Sequence, residues 1–423
     1  MNFIEELTWR GMIHDIMPGT EEALLKGPAS GYIGFDPTSD SLHIGSLVQI
    51  MTLVHFQRAG HSPIALIGGA TGMVGDPSGK SQERNLLDEQ TILENIKGVK
   101  KQLEKFLSFE GANCAEIVNN YDWFKSMNFL EFIRDVGKHV PVNYMMAKDS
   151  VKSRLETGMS FTEFTYQLVQ GYDFYYLNQQ KNCVVQLGGS DQWGNIVTGT
   201  ELIRRKAGGT AFAVTTPLIK KADGTKFGKT ESGNIWLDRE KTSPYVFYQY
   251  WLNTSDADAT NFIKIFTLFN KEEIAQMQTE HDAAPHMRTL QKHLAEDITK
   301  RVHGNEAYEQ AVNASKILFG RSTQEDLLRL SPEAFLEIFE GVPQAPLSRN
   351  ELEEGLSIVD ALATKTGFLS SNGEARRALN ANSISVNKEK VTASFMINEN
   401  NLINGKYLLI GKGKKSNFLV VVD

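Results

Sequence analysis

The chain has 423 residues, of which 41% are hydrophobic and 22% charged, and a formal net charge of −7. Such a length exceeds one ordinary core and predicts roughly two to three domains, while the apolar content is enough to bury them and excludes a disordered chain. Net acidity by itself argues against a nucleic-acid partner, so charge has to be read region by region.

Residues 1–15 carry Glu5, Glu6 and Asp15 where a secretory leader would place basic and then apolar residues. No apolar run approaches the roughly 18 residues of a bilayer span. A cytoplasmic protein without membrane contact is expected. Cys114 and Cys183 are the two cysteines. With no CxxC or Cys/His cluster of zinc spacing they predict neither a disulfide framework nor a metal site, and both are expected as buried thiols.

From Ser30 to about Lys220, β-rich runs alternate with helical patterns: GYIGF, then 41–59, then PIALIGG, then 89–109. That alternation predicts an α/β fold, a Rossmann-like parallel sheet covered by helices, in a first domain over 1–244. Its first strand leads through Tyr32-Ile33-Gly34-Phe35-Asp36-Pro37-Thr38 to Leu42-His43-Ile44-Gly45-Ser46 and an apolar helix. A helix start carrying His43 and Ser46, with small Gly45 beside them, suits an anion, because exposed amides and the helix dipole favour negative charge there.

The loop GGATGMVGDPSGKS over 68–81 looks like a phosphate loop but fails the pattern, since Val74 stands where the first glycine is required. Its glycines with Asp76, Lys80 and Arg84 still form a mixed-charge ligand surface. In 89–109, Ile92, Ile96, Val99, Leu103 and Phe106 recur at helical spacing, a core-facing stripe without chemistry. Tyr166, Gln170 and Asp173 sit at i, i+4 and i+7, on one helix face. The run 184–187 reads as a buried strand ending in the turn GGSDQWG, where open α/β sheets place their ligands. Lys226-Phe227-Gly228-Lys229-Thr230 follows among turn formers, two lysines and a hydroxyl able to close over a polyphosphate.

Beyond about Pro244 strand signals fade, and Leu290, Leu294 and Ile298 at every fourth position predict a helical domain over 245–322. Residues 323–350, with Pro332, Pro343 and Pro346, read as a hinge. A small domain over 351–423 closes the chain. Within it, residues 361–422 hold nine lysines and arginines against three acids, a local net of +6. A compact basic unit on an acidic chain suits a phosphate backbone.

These segments carry a family resemblance. His43-Ile44-Gly45-Ser46 resembles the His-Ile-Gly-His signature of class I aminoacyl-tRNA synthetases, and 226–230 resembles their Lys-Met-Ser-Lys-Ser loop. YIGFDPT, GGATGMVGDPSGKS, NNYDW, VNYMMAKDSVKSR, SFTEFTYQLVQGYDF, QLGGSDQWGNI and KADGTKFGKTESG together resemble the bacterial tyrosyl-tRNA synthetase family over about residues 1–322. Glu374 to Leu379, with Ile384-Ser385-Val386-Asn387 downstream, is similar to an S4-like RNA-binding module.

The resemblance implies a tyrosine–tRNA ligase that takes L-tyrosine, ATP with Mg²⁺ and tRNA(Tyr), without a protein-bound metal or organic cofactor. By it, Thr38 and His43 hold the γ-phosphate side, and Lys80, Arg84, Lys226, Lys229 and Thr230 surround the pyrophosphate. Gly34, Asp36, Gly45, Ser46, Gly189 and Asp191 take the adenylate. Asp76, Tyr166 and Gln170 bind the α-ammonium group, Gln192 lies by the carboxylate, and Tyr32 and Asp173 read the phenol. Ser46 replaces the family's second signature histidine and is shorter and uncharged. A homodimer through 129–144 is implied as well. Three alternatives stay open at this point: a tryptophanyl-tRNA synthetase, disfavoured by the Tyr32/Asp173 pair and the S4-like tail; a small-molecule nucleotidylyltransferase, which would need no basic tail; and an RNA-binding protein on a synthetase scaffold.

Overall fold

The structure, a computed structural model, describes the chain apart from residues 79–86, 149–150, 153–157, 226, 231–232, 320–323, 329–331, 333–334, 337–338, 340–341, 354 and 414–415. It divides into two compact units, one of Met1–Asp238 with Ser255–Leu290, the other of Arg239–Thr254 with Gln291–Asp423.

The first unit is built on a six-stranded sheet of β1 (Asp15–Ile16), β2 (Ser30–Phe35), β3 (Ser62–Ile67), β4 (Glu116–Asn119), β5 (Cys183–Gly189) and β6 (Phe212–Thr216). Spatial order is β1-β6-β5-β2-β3-β4. All pairings are parallel except the edge pair β1 and β6. The strand sequences explain this: Ile64, Ala65, Leu66 and Ile67 are all buried, as expected of parallel strands covered on both faces. After β2 the chain winds toward β4, then returns to place β5 on the other side of β2. That reversal opens a crevice beyond the carboxyl ends of β2 and β5, the usual ligand position in open α/β sheets.

Helix Leu47–Arg58 crosses the sheet with nine of its 12 residues buried, the pattern of a helix apolar all round. Helix Phe161–Lys181 is capped by Ser160, whose side chain accepts from the Glu163 amide, and ends at Asn182 in the left-handed region. Its Phe174 and Leu177 pack with Ile64, Leu66 and Cys183 in the core.

Helix Glu89–Leu103 stops short of the expected Phe109. Ile92, Val99 and Leu103 are buried, but Ile96 and Phe106 are only half-buried, and Asn95 and Gln102 are buried beside the apolar stripe. The reading of this helix as mere core is corrected by those two polar side chains. Asn95 donates to the Pro37 carbonyl (2.9 Å), while Gln102 accepts from the Leu42 amide (2.8 Å) and donates to the Ser41 hydroxyl (2.9 Å). The helix thus pins the loop that runs from β2 to His43.

The expected helical domain over 245–322 is divided between the two units. Arg10, 3% exposed, donates to the carbonyls of Lys264, Thr267 and Phe269, and Asp258 accepts from the Ala222 amide (2.7 Å). These bonds, from residues distant in sequence, tie Asp256–Phe266 to the first unit. Cys183 is buried as expected, whereas Cys114 is exposed, against expectation.

In the second unit, helices Pro244–Leu252 and Asn305–Phe319 pack together. Its sheet runs Glu389–Lys390, Ile384–Val386, Tyr407–Lys412, Ser416–Val422, Gln344–Leu347. The last pair is parallel, the others antiparallel. Gln344–Leu347 therefore belongs to this sheet, which shortens the expected 323–350 hinge at its carboxyl end. Ile358, Leu362, Ala375, Ile384 and Ile410 form the core beneath helix Asn372–Asn380. No helix among the described residues is long and apolar enough to cross a membrane.

Candidate active site

A cleft of about 340 Å³ opens at the switch point between β2 and β5. At its floor stand Tyr32 from β2, Leu66 from β3, Asp173 from helix Phe161–Lys181 and Gln186 from β5. The Tyr32 hydroxyl and the Gln186 Oε1 are buried with no hydrogen-bond partner among the described residues. Asp173 is 1% exposed. Its Oδ1 accepts from Trp123 Nε1 (2.9 Å) and its Oδ2 from Asn120 Nδ2 (3.0 Å). Trp123 is held in turn by stacking on Tyr176, with centroids 4.4 Å apart and 19° between planes. Burial pushes the Asp173 carboxyl up to about 8 against the pull of those two donors. Burial first, and Asp173 second, hold the Tyr32 phenol well above its usual range. A buried carboxyl and a buried unpaired hydroxyl at one end of a cleft ask for a ligand with a polar tip, because an unmet buried polar group is costly.

Higher in the cleft, two carboxylates are oriented. Asp36 accepts from the Tyr166 hydroxyl (2.8 Å) and from Thr71 Oγ1 (2.7 Å). Asp76 accepts from the Ser78 amide (2.9 Å) and from Gln192 Nε2 (2.7 Å). Gln170 Oε1 is buried and without a partner among the described residues. Acceptors grouped in this way, beside a tyrosine whose phenol burial and Asp36 keep protonated, suit an ammonium group. Tyr166, Gln170 and Asp173 all line the cleft, so their spacing on one helix face has the consequence expected of it.

The mouth is lined by Gly34, Thr38, His43, Gly45, Ser46, Gly189 and Asp191. His43 Nδ1 accepts from the Gly45 amide (3.0 Å), so in the neutral ring the proton sits on Nε2, which can donate to an anion. A Cβ at position 45 would lie 2.7 Å from His43 Cε1, so only glycine lets the imidazole fold back onto the helix start. The hairpin of β7 (Lys229–Thr230) and β8 (Gly233–Asn234) follows. Its foot is tied to the His43 segment, since the Ile44 amide donates to the Ile235 carbonyl (2.9 Å) and the Leu237 amide to the Leu42 carbonyl (2.9 Å). Lys80, Arg84 and Lys226 lie outside the described residues. Among the described residues no group of three or more His, Cys, Asp or Glu could hold a metal ion.

Fourteen expected residues thus meet in one cleft: Tyr32, Gly34, Asp36, Thr38, His43, Gly45, Ser46, Asp76, Tyr166, Gln170, Asp173, Gly189, Asp191 and Gln192. Four went unassigned in the sequence: Thr71, Asn120, Trp123 and Gln186. For Asn120 and Trp123 the signal was the polar-aromatic segment NNYDW, whose partners lie about 50 residues away in helix Phe161–Lys181.

A nucleotide-suited helix start, an ammonium-suited middle and a phenol-suited floor in one α/β cleft define an enzyme that joins an amino acid to a nucleotide. The family of class I tRNA synthetases (W and Y) matches residues 25–320, and the tyrosine–tRNA ligase SYY-like C-terminal domain matches residues 334–420. The tyrosine–tRNA ligase of Flavobacterium johnsoniae is 60% identical over 100% of this chain and 99% of its own length. That of Porphyromonas gingivalis is 61% identical over 100% of both. The crystal structure of a C-terminally truncated mitochondrial tyrosyl-tRNA synthetase of Aspergillus nidulans superposes with a TM-score of 0.69, at 29% identity over 75% of this chain and 94% of that one. The chain belongs to the class I tRNA synthetases of the tryptophan and tyrosine group. Within that group it falls among the tyrosine–tRNA ligases.

Proposed function

We propose that the cleft activates L-tyrosine with ATP to tyrosyl-adenylate and pyrophosphate, then passes the tyrosyl group to the 3′ end of tRNA(Tyr) with release of AMP. The observation that carries this is the presence of both Tyr32 and Asp173 at the buried end of a cleft whose mouth is the His43 helix start. In the first step a carboxylate oxygen of tyrosine attacks the α-phosphorus and the bond to pyrophosphate breaks. That carboxylate is already ionised near neutral pH, so no strong base is required. Positioning and stabilisation of the leaving charge supply the rate.

Tyr32 and Asp173 hold the phenol, while Asp76, Tyr166 and Gln170 hold the ammonium group and Gln192 lies near the carboxylate. Gly34, Asp36, Gly45, Ser46, Gly189 and Asp191 receive the adenosine and adenylate. Thr38, His43, Lys80, Arg84, Lys226, Lys229 and Thr230 clamp the triphosphate tail. Mg²⁺ would accompany ATP as part of the substrate and would shield the same charge. Exposed Arg376, Arg377, Lys390 and Lys406 in the carboxyl-terminal module supply cations for a tRNA backbone.

A homodimer is supported by Phe129, Leu130 and Ile133, 63, 70 and 45% exposed on helix Phe129–Asp135, with Val142 and Phe161 also exposed. Apolar side chains gathered in this way mark an interaction surface. The same reading assigns the protein to the cytoplasm. Tyrosine-dependent exchange of labelled pyrophosphate into ATP is the test. No exchange with tyrosine, ATP and Mg²⁺ present would overturn the activity, and a monomer in sedimentation would overturn the dimer.

A further inference from the structure

We infer that Trp236 is a positioning residue for the activation step, one that sets the His43 imidazole and links it to the lysine hairpin. The inference rests on the reading of His43 as a phosphate contact. Residues 235–237 run antiparallel to 42–44, with His43 and Trp236 directly opposite. The Ile44 amide donates to the Ile235 carbonyl and the Leu237 amide to the Leu42 carbonyl, both at 2.9 Å. These two bonds flank the His43/Trp236 pair, which is therefore the non-hydrogen-bonded kind, where facing side chains come closest. The rings meet edge to face, with centroids 6.1 Å apart at 66°, a geometry the aromatic quadrupole favours.

His43 is thus fixed from two sides. Its Nδ1 accepts from the Gly45 amide, and the facing indole packs against the ring. Trp236 also stands two residues beyond β8, which pairs Asn234 with Lys229 and Gly233 with Thr230. The Ile235 amide donates to the Gly228 carbonyl (3.2 Å). Any shift of the hairpin foot is therefore carried along a continuous backbone ladder to the residue that faces His43. A nearby helix start and a separate loop would otherwise have to find the same polyphosphate independently, and misplacement by about 1 Å can cost on the order of a hundredfold in rate.

The test is a double-mutant cycle on the full chain, read as the pre-steady-state rate of adenylate formation at saturating ATP, with tyrosine affinity from equilibrium binding. Trp236→Leu and Trp236→Met remove the aromatic edge, the first with a branched side chain and the second with a flexible unbranched one. Trp236→Phe keeps an aromatic edge. Each non-aromatic variant should slow the step about tenfold with tyrosine affinity within about twofold, and Trp236→Phe should recover most of the rate. His43→Asn should slow the step, and adding Trp236→Met to it should cost almost nothing more, because the indole then has no imidazole to direct. Multiplicative losses in the double variant, or an unchanged rate in both non-aromatic variants, overturn the inference. An unchanged rate in His43→Asn alone overturns instead the reading of His43 on which it rests.

Discussion

In the proposed function Asp173 is the residue that reads the phenol, and its proton is part of that role. Burial lifts its pKa to about 8 in the folded protein, above the roughly 3.9 of an unfolded aspartate. The folded state therefore holds an extra proton between these values. The stability linked to this group is fully present below about pH 4 and lost as the pH rises toward about 8. A bound tyrosine phenol adds a third donor to a carboxylate already bonded by Trp123 and Asn120, and donors favour the ionised form. Tyrosine binding should accordingly release a proton below about pH 8, and its affinity should climb with pH from 6 to 8 and level off above. Phenylalanine lacks the donor and should show no such climb. Calorimetry of both amino acids, in buffers of different ionisation enthalpy, reads the proton directly. Equal pH dependence for the two would remove Asp173 as the phenol's partner.

Among the elements, helix Glu89–Leu103 shows how a site can depend on a segment that never touches a substrate. A Cβ at position 98 would fall 1.9 Å from the Asp40 carbonyl oxygen, so glycine lets the helix lie directly on the loop that bears Thr38 and His43. Gly98→Ala should force that loop or the helix to move, at about 1–3 kcal/mol. It should also slow adenylate formation more than it weakens tyrosine binding. Thermal unfolding and pyrophosphate exchange together check this, and a variant with unchanged melting and rate would deny the helix its role.

Asn95, Gly98 and Gln102 share that face at i, i+3 and i+7, a pattern as readable as the apolar stripe beside it. Its meaning is not local, because buried polar residues declare themselves only once their partners are known. Tyr166, Gln170 and Asp173 were legible because helical periodicity is local. The Asn120 and Trp123 contacts to Asp173 were not, since they join segments about 50 residues apart. The same limit explains the divided helical domain, where Arg10 reaches carbonyls more than 250 residues away. Alternation of strands and helices announced the parallel sheet, but the pairing of β2 with β5, on which the cleft depends, is fixed only by long-range packing.

For the whole molecule, the proposed function divides the labour between the two matched regions, 25–320 for chemistry on the amino acid and 334–420 for contact with tRNA. Three of the cations in the basic module are engaged within the protein: Lys412 with Glu374 (2.7 Å), Lys365 with Glu351, and half-buried Lys388 with the Leu318 carbonyl. Its RNA surface is therefore narrower than the local charge suggests. A chain ending at Phe319 should keep tyrosine activation but charge tRNA poorly at low tRNA concentration, with a flatter salt dependence. Normal charging by that truncated chain would contradict the division.

The central claim, that a buried carboxyl and hydroxyl select tyrosine by its phenol, is tested most directly by kcat/KM for pyrophosphate exchange with tyrosine, phenylalanine and tryptophan, in the unaltered chain and in Asp173→Asn. Only tyrosine should support efficient exchange in the unaltered chain. The amide, a neutral acceptor with a donor that can face the phenol wrongly, should lower the tyrosine value far more than the phenylalanine value, because a charge-assisted bond is about twice as strong as a neutral one. Full preference for tyrosine in Asp173→Asn, or better exchange with tryptophan than with tyrosine in the unaltered chain, would contradict the account.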